Sequence, residues 1–285
     1  MPSLKDIRKR ISSVNNTKKI TRAMKLVSTA KLKRAQDAMG ALKPYAGKYR
    51  EMLGSLVGQL GGDAAHPLLE QRAEVRRIAV FVLTSDRGMC GGFNGQIQKA
   101  LIRLRRERGV ELVVYPLGKR IAKFVEKSDF ELGEAFGEIT PAATTETVRH
   151  ITDTLVAAFL SGAVDEVVVL SNEFRSVIEQ AAVARTLLPV AAVEQSGGEA
   201  AGDLIYEPGQ QSLLAYVVPR YVEVQVRQAI LESIAGEHAA RMNAMNNATD
   251  NATEMIRALT LQANRARQAA ITKELMEIIG GAEAL

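Results

Sequence analysis

Between residues 220 and 279, small and apolar side chains recur at steps of 3 and 4: Met245, Ala248, Ala252, Met255, Leu259, Ala263, Ala266 and Ala270. The stretch holds no proline and one glycine, Gly236, ahead of Gly280 and Gly281. That spacing predicts one continuous helix with a narrow apolar seam, roughly 90 Å long at about 1.5 Å per residue. No single globular core covers a helix of that length, so it must project. Its seam is mostly alanine, which lets a second helix approach closely, and a two-position seam repeating every seven residues is what a coiled coil presents.

The opening of the chain supplies a partner helix. Ser3 and Asp6 have capping-box spacing, and Leu4, Ile7, Ile11 and Val14 follow at 3, 4 and 3. Across residues 15–19 the apolar phase slips, and Ile20, Met24 and Val27 form a second stripe on a displaced face before Leu32, Ala35 and Met39. Such a slip predicts a local change of coiled-coil winding. Gly40 and Pro44 mark a bend or an end, and residues 45–60 stay compatible with a helix. Terminal helices of one chain pair when the segment between them returns the chain to its start, so the pairing is expected to be antiparallel.

Between the helices the pattern changes. Residues 61–69 turn to Gly, Asp, Ala, His and Pro, a linker composition. Strand-like runs then alternate with helical ones: a strand at 77–84, a helix at 94–108, a strand at 110–116, a helix at 119–127, a helix at 144–160 and a strand at 166–170. Residues 176–190 read as an edge strand ending at Pro189. The alternation predicts a Rossmann-like parallel α/β domain covered by helices. The resulting division is a coiled-coil helix at 1–60, the α/β domain at 75–205, and a helix at 209–285 that pairs with the first.

Charge sharpens this picture. The net charge of +5 over 285 residues hides a segment, residues 1–50, with 14 Lys and Arg against Asp6 and Asp37, leaving −7 for the remainder. A basic helical segment meets nucleic acid, an anionic membrane or acidic protein loops, or is simply a solvated face. No run approaches the roughly 20 apolar residues of a membrane span, and nothing resembles a signal peptide. The single cysteine excludes an internal disulfide and fits a reducing compartment.

Candidate chemistry is sparse. The loop SDRGMCGGFN at 85–94 follows a strand and precedes a helix, where α/β sheets cradle phosphate. Its glycines, Gly88, Gly91 and Gly92, match neither G-x-G-x-x-G nor G-x-x-x-x-G-K-[ST], which favours a structural turn. Asp86 and Arg87 read as a local pair fixing that turn, and Cys90 as a packing residue. His66, His150 and His238 show no metal or triad spacing, so neither cofactor nor metal is expected. Two readings stand beside a coiled-coil structural role: a nucleic-acid binder with a basic arm, although residues 1–44 lack the aromatics of a single-strand site, and a nucleotide-dependent enzyme built on the α/β domain.

Four runs carry a resemblance in the family's order: ITRAMKLVSTAKLKRAQ at 20–36, SDRGMCGGFN at 85–94, EHAARMNAMNNATDNA at 237–252 and NRARQAAITKELMEIIGGA at 264–282. Together they resemble the gamma subunit of bacterial F-type ATP synthases. The resemblance implies a non-catalytic central rotor shaft, with its coiled coil inside a ring of three alpha and three beta subunits and with catalysis in beta. It implies that Arg8, Lys9, Lys18, Arg22, Met24, Lys25, Lys31 and Arg34 face acidic segments of beta. Arg241, Arg267 and Gln268 match further contacts with the ring. Ile205, Tyr206 and Glu207 match the foot on the membrane c-ring, and the α/β domain would dock the epsilon subunit. Peripheral attachment at the cytoplasmic side of the bacterial inner membrane, with no nucleic-acid partner, follows from the same resemblance. With Cys90 alone, the thiol switch of the chloroplast version is not available.

Overall fold

The computed structural model describes residues 3–60, 65–137, 145–177, 179–191, 207 and 209–282. Two long helices, α1 (Leu4–Leu60) and α5 (Gln210–Ala282), bracket the remaining elements in sequence. In chain order these are β1 (Arg77–Leu83), α2 (Phe93–Arg108), β2 (Glu111–Leu117), α3 (Lys119–Val125), β3 (Glu131–Leu132), α4 (Thr145–Leu160), β4 (Glu166–Phe174) and β5 (Gln180–Leu188). Two compact units result: residues up to 28 together with those from 241, and residues 29–240.

The expected capping box closes the start of α1. The Asp6 amide donates to Ser3 Oγ at 3.2 Å, and the Ser3 amide donates to Asp6 Oδ2 at 3.3 Å. Two of the four donors that a helix start leaves unpaired are thereby satisfied. Pro44 lies inside α1 and deprives the Gly40 carbonyl of its donor; a glycine four residues back is well suited to tilt that carbonyl outward. Pro219 lies inside α5, so this helix begins ten residues before the proline-free stretch that announced it.

The second unit holds a five-stranded sheet in the order β3-β2-β1-β4-β5. β1 pairs in parallel with β2 and β4, Val80 lying opposite both Val114 and Val168. Ile78, Val80, Val82, Val114 and Val168 form one core with Ile97 and Leu101 of α2 and Ile121 and Val125 of α3. The parallel sheet expected from the alternation is found from β3 through β4, and the edge strand whose pairing the sequence left open, β5, is antiparallel to β4. Only residues 175–179 connect the two strands, whereas a parallel return needs a crossover of a dozen or more. β3 escaped the sequence reading because two residues show no periodicity.

Two glycines set the close approaches. Gly118, at φ +103, has a Cβ position 2.1 Å from the Thr84 carbonyl oxygen, so no side chain fits between β2 and α3. Thr84 uses the same corner, its Oγ1 accepting the Ile121 amide at 3.0 Å. At Gly236 of α5, an added Cβ would lie 3.3 Å from the Phe93 ring and 3.6 Å from Asn172 Cβ. This close packing against the sheet accounts for the lone glycine in residues 220–279.

His66 adds a pH dependence. Its Nδ1 accepts the Leu68 amide at 3.1 Å, and burial lowers its pKa below the ordinary 6.5. The folded chain therefore binds fewer protons here than the unfolded one, and this contribution to stability, present above about pH 6.5, is lost as pH falls below that value through the lowered folded pKa. His66→Gln is expected to flatten the decline in urea midpoint between about pH 7.5 and 5.5. An unchanged slope would remove His66 from the account.

Candidate functional site

The first unit is a pair of antiparallel helices. Thr21 Oγ1 lies 2.8 Å from Thr249 Oγ1, and Lys25 Nζ donates to Asn246 Oδ1 at 2.7 Å, so partner numbers fall along α5 as they rise along α1. Burial in α1 follows Leu4, Ile7, Ile11, Val14, Lys18, Thr21, Lys25 and Ser28, and in α5 Met245, Thr249, Ala252, Ile256, Leu259, Ala263 and Ala266. Both series step by 3 and 4 without interruption, so the seam keeps its heptad phase.

The phase slip read across residues 15–19 is therefore corrected. The seam continues through polar side chains, and the apolar stripe that suggested a displaced face turns outward: Ile20 is 60% and Val27 57% exposed. Likewise, Ile256 occupies the seam in place of Met255, Thr249 joins the half-buried Ala248, and Ala270, expected in the seam, is exposed. The physical reason is pairing. Thr21 and Thr249 satisfy each other, while Thr249 also donates to the Met245 carbonyl at 2.7 Å, so the hydroxyls tolerate burial. A polar pair inside such a seam fixes register at some cost in stability. Thr21→Val and Thr249→Val are expected to show a coupling of about 1 kcal/mol in a double-mutant cycle read by urea denaturation; strict additivity would contradict the cross-helix bond.

The basic positions divide into two sets. Arg8, Lys9, Arg22, Lys31, Arg34 and Arg267 are exposed, and none forms an ion pair or hydrogen bond with a described residue. Gln268 is exposed too. Lys18 and Met24 are half-buried, Lys25 is engaged by Asn246, and Arg241 is 8% exposed and has a partner of its own. Glu207 is exposed; Ile205 and Tyr206 lie outside the described residues. In residues 267–279 every side chain whose burial is described is exposed, including Ile271, Leu275, Ile278 and Ile279. Sequence reading missed this apolar ridge, although its steps of 4, 3 and 1 were visible.

The glycine-rich loop is filled by its own side chains. Asn94 Nδ2 donates to Ser85 Oγ at 2.8 Å and to Cys90 Sγ at 3.3 Å, while Ser85 Oγ donates to the Arg87 carbonyl at 2.6 Å. Met89 and Gly91 take left-handed conformations, at φ 61 and 58. Asp86 Oδ1 accepts the Lys119 amide at 3.0 Å, capping α3 from outside the helix. Among the described residues no group of His, Cys, Asp and Glu is arranged to hold a metal, and no helix is long and apolar enough to cross a membrane.

Comparison with known proteins decides the family. The pattern of the family described as ATP synthase matches residues 3–285. The ATP synthase gamma chain of Trichlorobacter lovleyi is 45% identical over 289 residues, covering 100% of this chain and 99% of that one. The chain belongs to the ATP synthase gamma-chain family. The gamma chain of Geobacter metallireducens is 46% identical over 288 residues, again with 100% and 99% covered. A chain in the solved structure of the Euglena gracilis mitochondrial ATP synthase, containing OSCP, F1 and the c-ring in rotational state 3, shares the fold. Its TM-score is 0.66 at 17% identity, with 99% of this chain and 94% of that one covered. The gamma-chain assignment covers both units, so the two-helix element and the α/β sheet belong to one family architecture.

Proposed function

We propose that this chain is the central-stalk rotor subunit of a bacterial F-type ATP synthase, a non-catalytic part that couples ion-driven rotation of a membrane ring to nucleotide chemistry in the beta subunits. The observation that carries the proposal is the exposed end of α5. Ile271, Leu275, Ile278 and Ile279 are each at least half exposed, an apolar surface that stays in water only at a cost unless a partner encloses it. A ring of three alpha and three beta subunits supplies such an enclosure.

In the first unit Arg8, Lys9, Arg22 and Arg267, and in the second unit Lys31 and Arg34, offer unpaired cations to acidic segments of beta. Exposed ion pairs contribute roughly 0 to 1 kcal/mol each, which suits contacts broken at every step of rotation. Lys25 is held by Asn246 across the seam and Arg241 is buried, so both serve the fold first, and Lys18 and Met24 share both environments; Gln268 adds a polar contact at the ring. The outward Ile20 and Val27 join the contact surface. The division into residues 1–60, 75–205 and 209–285 assigns torque to the terminal helices and docking of the epsilon subunit to the α/β part. Ile205, Tyr206 and Glu207 form the foot on the c-ring, which places the chain peripherally at the cytoplasmic face of the inner membrane.

Reconstitution tests this reading. The purified chain is mixed with alpha and beta subunits, the complex is isolated by size exclusion, and its ATP hydrolysis is compared with that of each component. One copy joining a ring of three alpha and three beta subunits and raising sustained turnover is the expected result. A chain that stays free, or that hydrolyses ATP by itself, overturns it.

A further inference from the structure

Within residues 29–240, a cavity of ≈ 290 Å³ lies among α1, β4, β5 and α5, lined by Arg50, Ser171, Arg185, Thr186, Tyr221, Gln225 and Gln228 among others. We propose that it binds a small oxyanion, phosphate or carboxylate, through the Arg50 guanidinium, the Gln225 amide and the Tyr221 hydroxyl. The inference is independent of the rotor reading, because every lining residue belongs to this unit and none is assigned a role there.

Donor and acceptor bookkeeping points to the ligand class. The lining includes two arginines and no carboxylate. Arg185 is already neutralised, donating to Glu173 Oε1 at 2.8 Å and to Glu232 Oε2 at 3.3 Å. Gln228 donates to Glu232 Oε1 at 2.8 Å, and Thr186 Oγ1 donates to Glu166 Oε1 at 2.8 Å. These groups have spent a donor on a carboxylate.

Four donor groups remain: the Ser171 hydroxyl, Gln225, Arg50 and Tyr221. Gln225 Nε2 is buried with no hydrogen-bond partner. Arg50 is exposed, and neither it nor the Tyr221 hydroxyl bonds to a described residue. A buried amide N–H₂ without an acceptor is rare in folded proteins and calls for an explanation. An oxyanion supplies acceptors only, matching a site with surplus donors and one unneutralised guanidinium. The volume is several times that of one water, about 30 Å³ in the liquid, so the anion enters with part of its hydration.

The test uses the full chain and inorganic phosphate as probe, at constant ionic strength set with sodium chloride. ³¹P line broadening and the melting temperature are followed during titration. Saturable binding is expected, with Arg50→Gln weakening it about tenfold, as for loss of a charge-assisted hydrogen bond. Tyr221→Phe is expected to weaken it less. Lys48→Gln, an exposed change at a side chain paired with Glu51, should leave it unchanged. Competition by glutarate would assign the site to carboxylates, such as an acidic side chain of a docked protein; phosphate binding that glutarate does not displace would assign it to free phosphate. A non-saturating response, or Arg50→Gln binding as tightly as the unaltered chain, overturns the proposal.

Discussion

Gly118→Ala is expected to destabilise the unit of residues 29–240 by at least about 3 kcal/mol, because it combines a backbone conformation near the glycine-only region with a severe overlap. The new Cβ would sit 2.1 Å from the Thr84 carbonyl oxygen and 2.9 Å from its carbonyl carbon. Neither neighbour is a flexible side-chain end. Thr84 is pinned on both sides, its amide donating to the Leu117 carbonyl at 3.0 Å and its Oγ1 accepting the Ile121 amide at 3.0 Å. Relief therefore requires β2 and α3 to separate from β1, exposing Ile121, which is fully buried. Urea denaturation followed by far-ultraviolet circular dichroism measures the loss. A shift under about 1 kcal/mol, the size of an ordinary substitution, would show that the corner yields easily.

The second large effect concerns assembly rather than folding. Replacing Ile271, Leu275, Ile278 and Ile279 together by Gln should leave the chain's own urea midpoint within experimental error. All four are exposed in a helix, and glutamine keeps most of the helix propensity. Retention in a reconstituted alpha–beta complex should fall at least tenfold, since enclosing one large apolar side chain contributes about 1.5–3 kcal/mol. Assembly and turnover equal to those of the unaltered chain would mean that the ridge remains in water and that the ring is held elsewhere.

Much of the architecture was legible because it rests on long-range periodicity. The alanine-rich seam of α5, the capping box at Ser3 and Asp6, and the all-apolar run at 78–83 each reflect one local physical rule. The failures share a cause. The continuous heptad through Lys18, Thr21, Lys25 and Ser28 was hidden because seam positions were identified by apolarity, whereas burial there is licensed by the Thr21–Thr249 and Lys25–Asn246 bonds. A partner two hundred residues away leaves no mark on local pattern. The same blindness displaced Ile20 and Val27 into an imagined seam when they face outward.

The candidate site shows the complementary limit. The charge excess of residues 1–50 left an acidic partner and a solvated face both open, and sequence alone did not sort Arg22, which is exposed, from Lys25, which is engaged, or from Arg241, which is buried. Those distinctions depend on helix phase relative to the other helix. The glycine-rich loop was judged structural from its spacing, and Ser85, Cys90 and Asn94 do occupy its interior. The capping of α3 by Asp86 requires residues 86 and 119 to meet at one corner of the sheet, which no local motif announces.

The central claim is that this chain turns. A bead or fluorescent reporter attached to an exposed position of the α/β unit, with the alpha–beta ring fixed to a surface, reads it directly. The account predicts unidirectional, stepwise rotation that needs ATP and stops when hydrolysis is inhibited. Sustained hydrolysis by the same complexes with the chain stationary, observed where the reporter is shown to move freely, would contradict it.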